Sequence, residues 1–178
     1  MPRVPLAEFE PETKKRLEEL WGTPPNLYRA LANHPKLVAA WTEFARAIRY
    51  ESRTPRALRE LVILRGAQLM KSEYEWAQHL KMARKAGVPE AQIENLASWQ
   101  SAACFDAREK AVLALAEEVT RGKVTDATHQ EVLKHFDQQD FVELSLTAAF
   151  YAMVGRMLDA MEVQLEPDFR DYTPKMPG

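Results

Sequence analysis

The sequence predicts an all-α protein, and three observations carry that prediction. Apolar residues recur at the i, i+3, i+4 spacing of a helix face in one segment after another. Prolines stand where such segments begin, and Gly87 and Gly122 stand where two of them end. No stretch alternates apolar and polar residues with the β-branched enrichment of a strand.

Taken in order, residues 11–21 form a short charged helix, and residues 25–33 form another after a proline pair. Residues 35–50 carry Leu37, Val38, Trp41, Phe44, Ala45 and Ile48 on one face. Thr54 is expected to cap the next helix, with Pro55 at its first position and its end near Met70. Residues 72–86 follow with almost no linker and stop at Gly87. Residues 89–97 make a short helix, and Asp106 caps one that runs to about Arg121. Residues 126–136 are amphipathic, residues 139–163 form the last long helix, and a polar tail starts at Pro167. Short links of this kind join helices into one bundle.

The 178 residues amount to one domain, 46% apolar and 28% charged, enough to bury a sizeable core. With 24 Lys and Arg against 26 Asp and Glu, the net charge of −2 argues against a nucleic-acid partner. A single cysteine, Cys104, rules out an internal disulfide, a CxxC pair and a cysteine-built zinc site. The six glycines are too scattered to build a phosphate-cradling loop. The first fifteen residues lack the apolar stretch of a signal peptide. The apolar run 144–155 is too short to span a bilayer and reads as a buried helix. A cytoplasmic location without membrane association is the expectation.

Helix 72–86 holds the informative residues. Projected at about 100° per residue, Gln78, Lys81, Arg84 and Lys85 gather on one side, which reads as solvent-facing. Glu75 and His79 fall on the opposite stripe with Trp76, Met82 and Ala83, where an unpartnered polar group would cost several kcal/mol, on the order of 2–7. The preceding helix puts Glu60 among Ala57, Ile63, Leu64 and Ala67. A tight link near Lys71 folds the two helices into an antiparallel hairpin. Glu60 then lies roughly 16 Å from the apex and His79 roughly 12 Å, at similar height. Glu60, Glu75 and His79 are thereby expected to share one partly buried pocket with Ser72 at its mouth. Each also has a structural reading. Ser72-x-x-Glu75 fits a capping box, His79 fits a satisfied core histidine, and Glu60 fits an arginine pair. No metal site is expected from two carboxylates and one histidine.

The run Arg59-Glu60-Leu61-Val62-Ile63-Leu64-Arg65, followed by Ser72-Glu73-Tyr74-Glu75-Trp76-Ala77-Gln78-His79, resembles the carboxymuconolactone decarboxylase family. That superfamily includes the alkylhydroperoxidase D proteins. The similarity continues through Asn26-Leu27-Tyr28-Arg29-Ala30-Leu31, Asp106-Ala107-Arg108-Glu109 and Phe150-Tyr151-Ala152-Met153-Val154-Gly155-Arg156, about residues 24–166 in all. It implies an alkylhydroperoxidase D-like helical bundle, a homotrimer or homohexamer, and a small-molecule substrate. Peroxidase members carry Glu, eleven residues, then Cys-x-x-Cys-x-x-x-His. Here Glu60 and His79 keep their places, while Ser72 and Glu75 occupy the cysteine positions. Neither can supply the attacking or the resolving thiolate.

What the resemblance then implies is a decarboxylase or lyase acting without cofactor on a small carboxylated lactone or related acid. His79 would donate the proton, Glu75 would orient it, and Glu60 would set its charge. Ser72, Trp76, Tyr151 and Arg156 are the candidates for contact with substrate or for support of the site. Arg156 reads as either an internal partner of Glu60 or an anchor for a substrate carboxylate. The alternatives are a peroxidase using Cys104 or an external thiol, and a non-catalytic protein that binds a small molecule. Trp21, Tyr28, Trp41 and Trp99 offer apolar surface for self-association.

Overall fold

A computed structural model describes residues 2–172 together with Met176. Among these residues there are nine α-helices and no strand: α1 (Pro11–Trp21), α2 (Asn26–Leu31), α3 (Pro35–Tyr50), α4 (Arg56–Met70), α5 (Glu73–Lys85), α6 (Glu90–Glu94), α7 (Ala107–Arg121), α8 (Asp126–Leu133) and α9 (Gln138–Met161). Short 3-10 turns follow at Leu96–Ser98 and Pro167–Tyr172. The remainder of the polar tail lies outside the described residues.

Helix α4 is the centre of the bundle. Every residue from Leu58 to Ala67 is buried, because α5, α7 and α9 pack around it. A helix enclosed in this way must satisfy its charges internally. Arg59 donates to the carbonyl oxygens of Ile48 (2.6 Å), Arg49 (3.3 Å) and Thr54 (3.3 Å). Arg65 donates through Nε to Glu117 of α7 at 2.8 Å, and the same carboxylate accepts from Trp99 Nε1 at 2.7 Å and pairs with Arg121 at 2.9 Å. Glu117 is thus a fully partnered structural acid, tying the turn after α6 to the core.

The helix ends follow local chemistry. Lys71 closes α4 in the left-handed region with φ 55°, which turns the chain into α5. Gly87 has φ 88°, and the amides of Gly87 and Val88 bond back to Arg84 and Ala83, a Schellman stop for α5. Asp106 forms a capping box with Glu109. Thr54 departs from expectation: α4 starts one residue later, with Pro55 at the N-cap. The Thr54 amide (2.9 Å) and hydroxyl both donate to Glu143 of α9 instead. A tertiary acceptor has taken the side chain from its cap.

Helix α9 is, among the described helices, the one long and apolar enough to cross a membrane by length and composition. Its inward face, including Leu144, Ala148, Tyr151 and Leu158, is buried against the other helices. Its outward face keeps Val142, Leu146 and Met153 exposed. By contrast Tyr28 and Trp99 are buried and Trp21 and Trp41 are half-buried, so these aromatics serve the interior and not an outer surface.

Candidate active site

The α4–α5 hairpin brings Glu60 and His79 into contact. Nδ1 of His79 lies 2.8 Å from Oε2 of Glu60, and Arg56, one helical turn before Glu60, forms an ion pair with the other carboxylate oxygen. Glu60 is wholly buried. Burial pushes its carboxyl pKa up, but His79 and the charges of Arg56 and Arg49 outweigh that and hold it below the ordinary carboxylate range. Burial pushes the His79 pKa down, and the neighbouring arginines add to the effect against the pull of Glu60. At neutral pH the pair is therefore carboxylate and neutral imidazole. The proton sits on Nδ1, facing Glu60, and the lone pair sits on Nε2.

Glu75 behaves oppositely. The i, i+4 spacing allows it to meet His79, yet neither carboxyl oxygen of Glu75 has a hydrogen-bond partner of good geometry. Half of the expected capping box is present: Ser72 Oγ accepts from the Glu75 amide at 3.5 Å. The reciprocal half is absent, because the Ser72 amide donates to Ala67 at 2.9 Å. Burial raises the Glu75 pKa to about 8, with the Ser72 hydroxyl pulling weakly the other way. At pH 7 this carboxyl is protonated.

Gly155 of α9 makes room for it. A Cβ at that position would stand 2.7 Å from Oε2 of Glu75 and 2.8 Å from Cε of Met70. Both atoms are ends of flexible side chains, so Gly155→Ala should cost only about 1 kcal/mol of stability. Its larger effect is to displace the Glu75 carboxyl. Urea unfolding together with titration of Glu75 by NMR checks both parts, and an unmoved Glu75 resonance would contradict the contact.

Glu75 and His79 line one cavity between α5, α9 and the N-terminal helices α1–α3, with about 540 Å³ of empty space, part of it open to solvent. Its other walls are mainly apolar and aromatic, including Trp21, Trp41 and Phe150. Tyr151 lines it as well, its ring edge-on to His79 at 4.7 Å. Gln78, placed on the solvent side by the helical projection, lines the cavity instead. Its amide donates to Glu166 at 2.6 Å, and Glu166 also accepts from Tyr74 Oη (2.7 Å) and the Asn26 amide (2.6 Å). The segment after α9 thereby clamps α2 against α5.

Other expected residues fall elsewhere. Trp76 is buried in the core with Leu61, Leu80 and Leu96, outside the cavity wall. Arg156 is exposed and reaches the Thr120 carbonyl at 3.5 Å; the arginine that pairs with Glu60 is Arg56. Ser72 is an N-cap and does not line the cavity. Cys104 packs beside the core, its thiol 3.4 Å from the Ala91 carbonyl, and does not line the cavity either.

Two arginines were missed. Arg56 lies one turn before Glu60, a spacing readable as an ion pair. Arg49 lines the cavity and continues the stripe Trp41, Ala45, Arg49 at i, i+4, i+8. A charge on the edge of that apolar face was the available signal. Among the described residues, no group of three or more His, Cys, Asp or Glu is placed to hold a metal ion.

A family model described as the carboxymuconolactone decarboxylase family matches residues 35–118. Comparison with curated proteins returns no match. Among solved structures, an uncharacterized peroxidase-related protein from Silicibacter sp. TM1040 is similar at 20% identity and TM-score 0.81, covering 93% of this chain and 91% of its own. An uncharacterized peroxidase-related protein with an alkylhydroperoxidase AhpD core, from Ralstonia eutropha JMP134, is 19% identical with TM-score 0.81 and 94% coverage of both chains. A cysteine-to-alanine variant of the debrominase Bmp8 in complex with 2,3,4-tribromopyrrole is 17% identical with TM-score 0.78, covering 91% of this chain and 88% of its own.

Proposed function

We propose that this chain, whose residues 35–118 match the carboxymuconolactone decarboxylase family and whose fold is alkylhydroperoxidase D-like, is a member of that family and an acid/base enzyme acting on a small organic molecule. The reaction class we favour is decarboxylation of a small carboxylated lactone or related acid. One observation carries the reading. A single apolar cavity is lined by a neutral histidine, oriented from behind by a buried carboxylate, and by a second carboxyl that stays protonated at pH 7. Pairs of titratable groups pushed apart by their surroundings are the usual mark of an assigned acid and base. The debrominase on the same fold is a precedent for chemistry on a small planar ring in this architecture.

The roles differ from those expected of the sequence. Glu60 orients His79, so it is a positioning residue. Glu75 holds the transferable proton at neutral pH, and Nε2 of His79 is the basic atom. In a decarboxylation the bond to the carboxylate carbon breaks, CO₂ leaves, and the electron pair remains on the substrate carbon. Glu75 then protonates that carbon and regains its proton from solvent after product leaves, while Nε2 accepts a hydrogen bond from the substrate. Thiol chemistry would need an external thiol or Cys104, which stands outside the cavity wall.

The test is CO₂ release from a panel of small carboxylated lactones and aryl acids. His79→Gln and Glu75→Gln should each lower kcat/KM by at least about 100-fold with an unchanged helical circular-dichroism spectrum. The wild-type profile should be bell-shaped, falling on the acid side as His79 protonates and on the alkaline side near pH 8 as Glu75 ionises. Full activity in His79→Gln would overturn the mechanism. We also propose a homo-oligomer, supported by the exposed Val142, Leu146 and Met153 of α9; a 20.4 kDa species in light scattering would contradict it.

A further inference from the structure

Three arginines converge behind the cavity, and they are not equally satisfied. Arg56 has the Glu60 carboxylate, and Arg59 spends its donors on three backbone carbonyls. Arg49 has neither. Among the described residues it forms no ion pair with a carboxylate. Its Nη2 donates to the thioether sulfur of Met82 at 2.9 Å, its guanidinium lies 5.5 Å from the Trp21 ring centre, and the Tyr28 hydroxyl oxygen accepts a hydrogen bond from it. A thioether is a weak acceptor, an indole face a diffuse one and a phenol a neutral one, so among the described residues the guanidinium fork has no anion in direct contact. Arg49 also lines the cavity, as do Tyr28, Trp21, Trp41 and Met82.

The electrostatic balance of the wall reinforces this. Of the wall's ionisable groups, Glu75 is protonated at neutral pH and His79 is neutral, which leaves Arg49 charged, and behind the wall the one Glu60 carboxylate is shared among Arg49, Arg56 and His79. Partial withdrawal of a guanidinium from water is costly unless an anion completes its shell. Carboxylates match its two parallel N–H groups. The surrounding rings favour a flat body over a bulky one.

We propose that Arg49 is the specificity-determining residue of the cavity, an anchor for one spectator carboxylate of a small planar organic acid, which leaves the reacting end of the molecule to Glu75 and His79. This deepens the acid/base reading, because it takes the same cavity as the substrate site. It concerns binding alone and is separable from turnover. A substrate held at Arg49 by one anionic group would present its other end to His79 Nε2 and the Glu75 carboxyl.

The experiment uses benzoate, benzamide and cyclohexanecarboxylate as probes, with quenching of Trp21 and Trp41 fluorescence and calorimetry as readouts. Wild-type protein should bind benzoate at least about tenfold more tightly than benzamide, the value of one good charge-assisted contact. Cyclohexanecarboxylate should be weaker than benzoate. Arg49→Gln should lose at least about tenfold in benzoate affinity while its benzamide affinity stays the same, and Arg49→Lys should recover part of the loss. Both variants leave the Arg49 carbonyl, which accepts from Arg56 and Arg59, in place. His79→Gln should bind benzoate as wild type does, so failure of the proton chemistry leaves this result standing. Equal binding of benzoate and benzamide, undiminished benzoate binding by Arg49→Gln, or no benzoate binding by wild type at about 10 mM would overturn the assignment.

Discussion

Glu75→Gln should be more stable than the wild-type protein at pH 8 and no more stable at pH 4. Burial raises this carboxyl from 4.5 to about 8, so the folded state keeps a proton that the unfolded chain releases. The consequence for stability has a definite sign. Wild-type stability is undiminished by this group below about pH 4.5, declines as pH rises toward 8, and levels off above that. A difference of about 3.5 pKa units corresponds to a loss of about 5 kcal/mol at the alkaline end. Glutamine has no proton to lose, so the variant should escape the decline while filling nearly the same volume beside Gly155. Urea unfolding at pH 4, 6 and 8 measures the two profiles. Parallel profiles would mean that Glu75 is ionised or hydrated in the folded protein. A chain carries a destabilising group of this size when the group has work to do there, a pattern typical of active sites.

Glu60→Ala should cost about 3 kcal/mol at pH 7, the lower part of the range for breaking a buried pair. It removes the acceptor for His79 Nδ1–H and leaves Arg56 unpaired, although Arg56 retains enough exposure to reach water. The pH signature is opposite to that of Glu75. The Glu60 carboxyl is depressed, so its stabilisation is present above the unfolded pKa, near 4.5, and is lost as pH falls through the folded value. Glu60→Gln separates shape from charge. It should restore part of the stability while freeing His79 to exchange between tautomers, which imidazole ¹⁵N shifts would report. Unchanged stability and an unchanged His79 tautomer in Glu60→Ala would show that the pair contributes nothing.

The meeting of Glu60 with His79 was legible because it depends on two regular quantities, helix rise and the tight turn at Lys71. Their places on apolar stripes announced burial, and burial of polar groups demands partners. The pairing of Glu75 was not legible in the same way. Spacing on α5 permits contact with His79, and the Ser72-x-x-Glu75 pattern permits a capping box, but an orphaned carboxyl against Gly155 depends on how closely α9 approaches. Arg156 was misplaced for a related reason. Its stripe on α9 also carries Ala149, Ala152 and Ala160, of which Ala152 is buried while Ala149 and Ala160 are exposed along with Arg156, and small residues alone do not say how far along that side a helix packs.

The all-α class, the helix order, most caps, and the identity of Glu60, Glu75 and His79 as polar groups on apolar faces were legible in the order of residues alone. These follow from local periodicity and end chemistry, which act over a few residues. Which carboxylate stays charged became legible once the helices were packed. That depends on whether an arginine from one turn away or an apolar wall from another helix surrounds each group. Packing also decided that Arg49, from a helix distant in sequence, faces the same cavity. Desolvation and Coulomb interactions act through space between elements, so they are settled only when those elements pack.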